Sequence, residues 1–425
     1  MSLRRPGTKP GPLVGSDPSA VRTRKRDTAA LAVGSAVSGI LAYVVFAITT
    51  RTLGPVEAAP VTVLWTYWSF SSAALTFPLQ HWIASTVALH GEGAVRRTLP
   101  RLSLVVAATS VAIAALAWVG REQLFNREDI WFPAMVALVT VGSALVGVAR
   151  GGLTAQERFA SVGWSFVAEN GVRCVAAGAL ALAGSDSAVA YGLCLLAGHL
   201  TAFVWPAAMV FAREHTATVA SRALAFLSGS GLAQILAQIV LTGGPVLLAL
   251  GGGTPGEVTA LFAALALFRA PYILALGLVS QLTGIVTRLM SRGDEVAIRR
   301  IRVRILGATT ALAALTGLLG LLLGPAVMRL VFGERLEFPA AEAAIVGIAC
   351  IVAVGNLVSS VTLMARNRPR ATVRAWLVGL AGGMLAFVAL WTVEPVGRTS
   401  WTFLVIEVVA FVVLVRSGRA DLTTA

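Results

Sequence analysis

Apolar runs of about twenty residues or more follow one another from residue 28 to residue 415, parted by short polar breaks. Twenty residues of helix cover roughly 30 Å, the thickness of a bilayer's hydrocarbon core. On that rule the pattern predicts twelve spans: 28–50, 60–88, 102–120, 131–149, 163–183, 188–211, 223–250, 257–286, 305–331, 339–364, 372–392 and 399–415. Pro78, Pro206, Pro245 and Pro271 fall inside runs, which membrane helices tolerate where neighbours satisfy the freed backbone groups. The first break, in "TTRTLGPVEAAP" (49–60), sets an arginine beside a Leu-Gly-Pro turn and a glutamate.

Composition agrees with the pattern. Of the 425 residues 57% are hydrophobic and 13% charged, against about 25% charged in a soluble domain. With a mean hydropathy of +0.81, this is an all-α polytopic membrane protein. The lysines are Lys9 and Lys25, both near the N-terminus, so neither a G-x-x-x-x-G-K-[ST] nucleotide loop nor a Schiff-base lysine exists in the body of the chain. Cys174, Cys194 and Cys350 lie in apolar runs without a CxxC, and His81, His90, His199 and His215 lack metal-ligand spacing. No cofactor or metal site is expected. Residues 1–27 read as a disordered basic tail and 416–425 as a second tail.

The net charge of +14 is distributed by side. Counting Arg and Lys along alternate breaks puts 26 on the side of both tails and six on the other: Arg51, Arg121, Arg127, Arg329, Arg335 and Arg398. That asymmetry predicts cytoplasmic termini and attraction to membrane lipid, not a nucleic-acid surface. Arg51 therefore stands on the poorer side, either as an interfacial anchor or as an outer phosphate contact.

The chain also repeats itself. "LGPVEAAPVTVLW" (53–65) parallels "LGGGTPGEVTALF" (250–262), "GEGAVRR" (91–97) parallels "GDEVAIRR" (293–300), and "LFNREDIWFPA" (124–134) parallels "VFGERLEFPA" (331–340). Three matches in order predict two six-helix bundles, 28–222 and 223–415, in the same membrane orientation. Parallel repeats of this kind occur among transporters that alternate about a central cavity.

At this point a family resemblance appears. "RTLGPVEAAP", "VARGGLTAQERFASVG" (148–163) and "LVFGERLEFPAAEAAIVGIACIVAVGNLVSSVTLMARNRPR" (330–370) resemble the Wzx-like polysaccharide-transporter branch of the multidrug/oligosaccharidyl-lipid/polysaccharide (MOP) exporter superfamily. The sequence departs from that branch at Ala59-Pro60, where Phe-Gly or Tyr-Gly is common. The resemblance implies a MATE-like fold in a bacterial inner membrane. It also implies a lipid-linked oligosaccharide, on a polyprenyl-diphosphate carrier, moved to the outer leaflet without an enzymatic step. Other polysaccharide-assembly proteins are the partners it suggests.

Ionisable residues at membrane depth are candidates by their cost alone. Glu169 and Arg173 stand four apart on one helical face, as an internal ion pair or as a diphosphate ligand and its partner. Arg269 has no acid within a helical turn, so it needs an anion or a pairing such as Glu407. The resemblance to lipid flippases favours a cavity arginine, whose planar fork fits phosphate. Glu407 reads as a protonatable coupling group or a silent acid. Gln80, His81, Gln234, Gln238 and Asn356 suit sugar hydroxyls or helix-to-helix bonds. "LWTYWSF" (64–70) suits sugar stacking or an interfacial belt. The competing functions are a multidrug or cation-coupled exporter of the same fold, a glycan polymerase or ligase, and a non-transporting scaffold.

Overall fold

The computed structural model describes residues 18–212, 230–275, 295–365 and 368–417, and among them every regular element is helical. In chain order the helices are α1 (Pro18–Ser71), α2 (Phe77–His90), α3 (Glu92–Val119), α4 (Arg121–Phe125), α5 (Trp131–Ala155), α6 (Phe159–Leu182) and α7 (Ala188–Ala197). They continue as α8 (Ser230–Thr242), α9 (Gly244–Leu250), α10 (Pro255–Phe268), α11 (Glu295–Phe332), α12 (Ala340–Ala365), α13 (Pro369–Ala389) and α14 (Pro395–Ser417). A π-helical turn, Ser72–Thr76, joins α1 to α2.

Seven of the described helices are long and apolar enough to cross a membrane. The first of them, Val33–His90, counts 58 residues, far more than one span needs. Two shorter apolar helices, Ala188–Val204 and Pro255–Phe268, fall below the length of a full span. Length and composition thus do not establish the expected count of twelve. Parts of the runs at 223–250 and 257–286, and residues 1–17, lie outside the described residues. The helix of α1 reaches back to Pro18, into the segment read as a disordered tail.

The long first helix is two helices joined at Gly54 (φ 77°, ψ 167°), a conformation open essentially to glycine alone. Pro55 then supplies a fixed φ and no N–H at the start of the second arm. The chain reverses here. Phe46 and Trp65 would stand about 28 Å apart on a straight helix, yet their ring centroids are 6.2 Å apart.

The second half repeats the device. Gly252 (φ 88°) precedes α10, whose first turn is a capping box: Thr254 Oγ1 accepts from the Glu257 N–H and Glu257 Oε2 accepts from the Thr254 N–H. The matched loops after α3 and α11 both use a left-handed residue, Asn126 (φ 50°) and Gly333 (φ 112°). Trp65 and Phe262, the last residues of the first matched pair of strings, meet at 6.4 Å. Equivalent residues touch each other where a pseudo-twofold axis passes. The face carrying these four turns is called the turn face below, and the opposite one the tail face.

Helices approach through small residues, as expected where lipid gives no hydrophobic drive for association. A Cβ on Gly34 would lie 2.6 Å from Gly163 O, and one on Gly163 would lie 2.8 Å from Ala30 O, so α1 and α6 are nearly in backbone contact. Gly320 meets Ala343 O at 2.8 Å in the same way between α11 and α12. Replacing Gly163 by valine is therefore expected to cost about 1–3 kcal/mol by overpacking. Gly171→Ala on the same helix, where nothing lies within 4 Å, should be neutral; thermal unfolding of both variants in detergent checks the pair.

Candidate functional site

The halves meet along a seam between α1 and α10. Phe46 packs on Phe262 at 4.6 Å and on Phe332 at 5.3 Å, and the Tyr43 hydroxyl donates to Ala266 O. Thr259 Oγ1 donates to Pro55 O at 2.6 Å. Above this apolar floor stands Arg269. Pro271 has no N–H to return to Leu267 O, and its ring crowds that carbonyl, so α10 stops at Phe268 and Arg269 occupies the turn. The half-buried guanidinium lies 5.7 Å from the Phe262 ring and beside the Tyr43 hydroxyl. Its Nε is buried without an acceptor, and it forms no ion pair among the described residues. A broken helix at such a place is tolerated where it lines a cavity.

Glu169 and Arg173 are joined by a third residue that the sequence reading misplaced. Arg173 NH2 donates to Glu169 Oε1 and Arg150 NH2 to Glu169 Oε2, each at 2.6 Å. Arg150 was expected in a loop beyond a span ending at 149, but α5 continues to Ala155 and buries it at 3% exposure. It also donates through Nε to Ser165 Oγ, while Arg173 donates to Leu195 O and Asn170 Oδ1. Asn170 in turn donates to Ser38 Oγ, tying the group to α1. The cluster is sealed inside the first half, with Arg173 fully buried. Arg150 was legible in retrospect: in a helical hairpin turning at 156–158, residues 150 and 165 stand nearly opposite.

Glu407 does not pair with Arg269. Asn356 Nδ2 donates to Glu407 Oε2 at 2.6 Å and to Glu407 O at 2.9 Å, linking α12 to α14 inside the second half. Glu407 Oε1 and Asn356 Oδ1 are both buried without partners. Asn356 is thus committed to Glu407 and not to a sugar.

The remaining candidates scatter. Gln80 Nε2 donates to Thr154 Oγ1 at 3.2 Å, His81 is on an exposed face, and Gln238 is half-buried. Gln234 has its side chain outside the described residues. The "LWTYWSF" cluster is neither a surface belt nor an open platform. Trp65 is buried at the seam; Trp68 touches it at 6.0 Å and carries the Arg173 guanidinium 4.3 Å above its ring. An aromatic ladder of Trp68, Trp65 and Phe262 therefore runs from the sealed cluster to Arg269.

Arg51 lies on the turn face. Its Nε donates to Val331 O at 3.0 Å and its NH2 to Leu330 O, the last carbonyls of α11 in the other half. Among the described residues no group of three or more His, Cys, Asp or Glu could hold a metal ion.

No family model and no curated protein sequence matches the chain. Solved structures do. An inward-facing multidrug resistance MATE family transporter of the MOP superfamily is similar at a TM-score of 0.66 and 15% identity, over 92% of this chain and 98% of that one. The lipid II flippase MurJ, inward closed, is similar at 0.66 and 12% identity, over 92% and 87%. An outward-facing MATE transporter is similar at 0.61 and 12%, over 94% and 96%. The chain has the fold shared by these MATE and MurJ structures.

Removing the shared carboxylate should be severe, because two buried guanidiniums would then face each other. Glu169→Gln is expected to cost about 3–5 kcal/mol. Adding Arg150→Met should restore part of that loss. A thermal-unfolding series of the single and double variants reads the coupling.

Proposed function

We propose that this chain is a transporter that flips a lipid-linked oligosaccharide, bearing a polyprenyl-diphosphate group, from the cytoplasmic to the outer leaflet. The observation that carries this reading is Arg269: a guanidinium at a helix break on the seam, with an unanswered buried Nε and no carboxylate paired to it among the described residues. A charge in that position calls for an anion, and the planar fork suits phosphate oxygens bidentately. The likeness to a lipid II flippase is in keeping with a lipid cargo.

Transport would proceed by alternating access of the two halves, with the tail face in the cytoplasm and the turn face outside. Arginine distribution supports that orientation even with Arg150 withdrawn from the count. A bacterial plasma membrane, with polysaccharide-assembly proteins as neighbours, is the setting this reading implies. Arg173 is assigned to holding the first half together, since its donors are spent on Glu169, Asn170 and Leu195. Glu407 is assigned to coupling: a buried carboxyl with one oxygen lacking a donor suits an acid that gains and loses a proton. Gln80, Gln234 and Gln238 remain the sugar-facing candidates. An exporter of cations would need an acid at the seam, whereas Glu169 and Glu407 are each engaged within one half.

The test uses the full chain in liposomes with a fluorescent polyprenyl-diphosphate oligosaccharide. Arg269→Ala should lower translocation by about tenfold or more, the worth of one charge-assisted contact, at unchanged membrane content. Arg269→Lys should keep part of the rate, since the charge stays and the fork is lost. Wild-type rates from Arg269→Ala would remove the residue from the cargo path.

A further inference from the structure

Three of the turn-face arginines share one habit. Arg121 donates to Trp118 O and Glu128 O, at the end of α3 and in the loop after it. Arg398 donates to Trp391 O and Gly251 O while lying over the Phe387 and Trp391 rings. Each takes carbonyls at or just beyond the ends of helices in its own half, where the last turns leave acceptors unpaired and the helix dipole is negative. Arg51 does the same across the seam.

The last turn of α11 shows why that matters. Gly333 N–H donates to Arg329 O, which leaves the carbonyls of Leu330 and Val331 without helical donors. Arg51, from the first half, supplies both. Gly333, at φ 112°, is the notch that admits it: a Cβ there would stand 3.3 Å from Arg51 Cγ. Opposite, a Cβ on Gly54 at the kink of α1 would lie 3.9 Å from Arg335 NH1. The turn of one half and the helix end of the other interlock directly over Phe46 and Phe332.

We infer that Arg51 is the latch that holds the turn face shut, and that parting the halves on that side requires its guanidinium to leave the Leu330 and Val331 carbonyls. The latch is one-sided. The equivalent turn of the second half, "LALGGGTPGEVTA" (248–260), contains no arginine, and what it returns across the seam is a neutral bond, the Thr259 hydroxyl on Pro55 O. It is also reversible: the freed carbonyls and the freed guanidinium would both lie at a water-facing surface, so opening exchanges protein hydrogen bonds for hydration instead of burying an unpaired charge. This inference rests on the alternating-access reading but not on the identity of the cargo.

The test measures distances between spin labels on the full chain in lipid nanodiscs, with the three native cysteines replaced by alanine. One pair, Glu128→Cys with Glu334→Cys, spans the turn face on matched loops. The other, Leu89→Cys with Arg300→Cys, spans the tail face. Arg51→Ala should raise the ratio of long to short turn-face distances by about tenfold or more, the loss of two solvent-exposed charge-assisted hydrogen bonds. Gly333→Val should act in the same direction by crowding the notch. Arg121→Ala, which loses carbonyl bonds within one half only, should leave the ratio unchanged. A turn-face distribution identical in Arg51→Ala, Gly333→Val and the parent overturns the latch. If the turn-face distances lengthen without any shortening on the tail face, the latch stands and alternating access fails.

Discussion

An arginine in an apolar protein must be answered by oxygen, and that requirement sorts the cations of this chain. Water is absent at membrane depth, so each guanidinium takes a carboxylate, a carbonyl or an aromatic face. Arg150 and Arg173 share Glu169; Arg127 takes Asp129; Arg51, Arg121 and Arg398 take backbone carbonyls at or near helix ends. Within the spans, Arg269 has only an aromatic face and a hydroxyl beside it, with no carboxylate or carbonyl bonded to it among the described residues. Its place at a proline break on the seam makes that exception informative, since the same break in a closed core would leave a charge with nothing to meet.

How much of this could be read from the sequence depends on how far each partner lies along the chain. The apolar runs are local, and those at 163–183, 339–364, 372–392 and 399–415 coincide with helices to within four residues at each end. The repeat was read from three matched strings, and two of those pairs carry left-handed residues in the structure, Gly54 with Gly252 and Asn126 with Gly333. The pairing of Glu169 with Arg173 is a four-residue spacing and was visible. Arg150 was hidden by a span boundary drawn a turn and a half too early, which converted a buried ligand into a loop charge. Arg51 has its acceptors about 280 residues away, and they are backbone carbonyls with no residue signature at all. Glu407 found Asn356 and not Arg269 because α12 and α14 pack side by side within one half, a fact of assembly that periodicity does not carry.

The halves cohere by different chemistry from that of the seam between them. Within each half, backbones come close through glycine, as Gly34 with Gly163 and Gly320 with Ala343 show, and such contacts resist sliding because any shift brings atoms into collision. Across the seam the contacts are aromatic faces, two side-chain hydroxyls donating to carbonyls, and the Arg51 guanidinium. Rings can slide and hydroxyls can find other acceptors. The closest backbone approaches thus lie within each stretch of the repeat, and the side-chain contacts named here lie between them.

The repeat supplies two similar scaffolds, yet their charges are not similar. The first half encloses a carboxylate between two guanidiniums, a group with one net positive charge in which no buried nitrogen or oxygen lacks a partner. Among the described residues, every guanidinium or carboxylate with a buried unpaired atom belongs to the second half: Arg269, Arg398 and Glu407. Unsatisfied charge is costly where it stands idle and useful where a ligand or proton periodically completes it. The second half therefore carries the groups open to exchange, while the first half contributes a rigid wall, the aromatic ladder and the arginine that crosses to the other side.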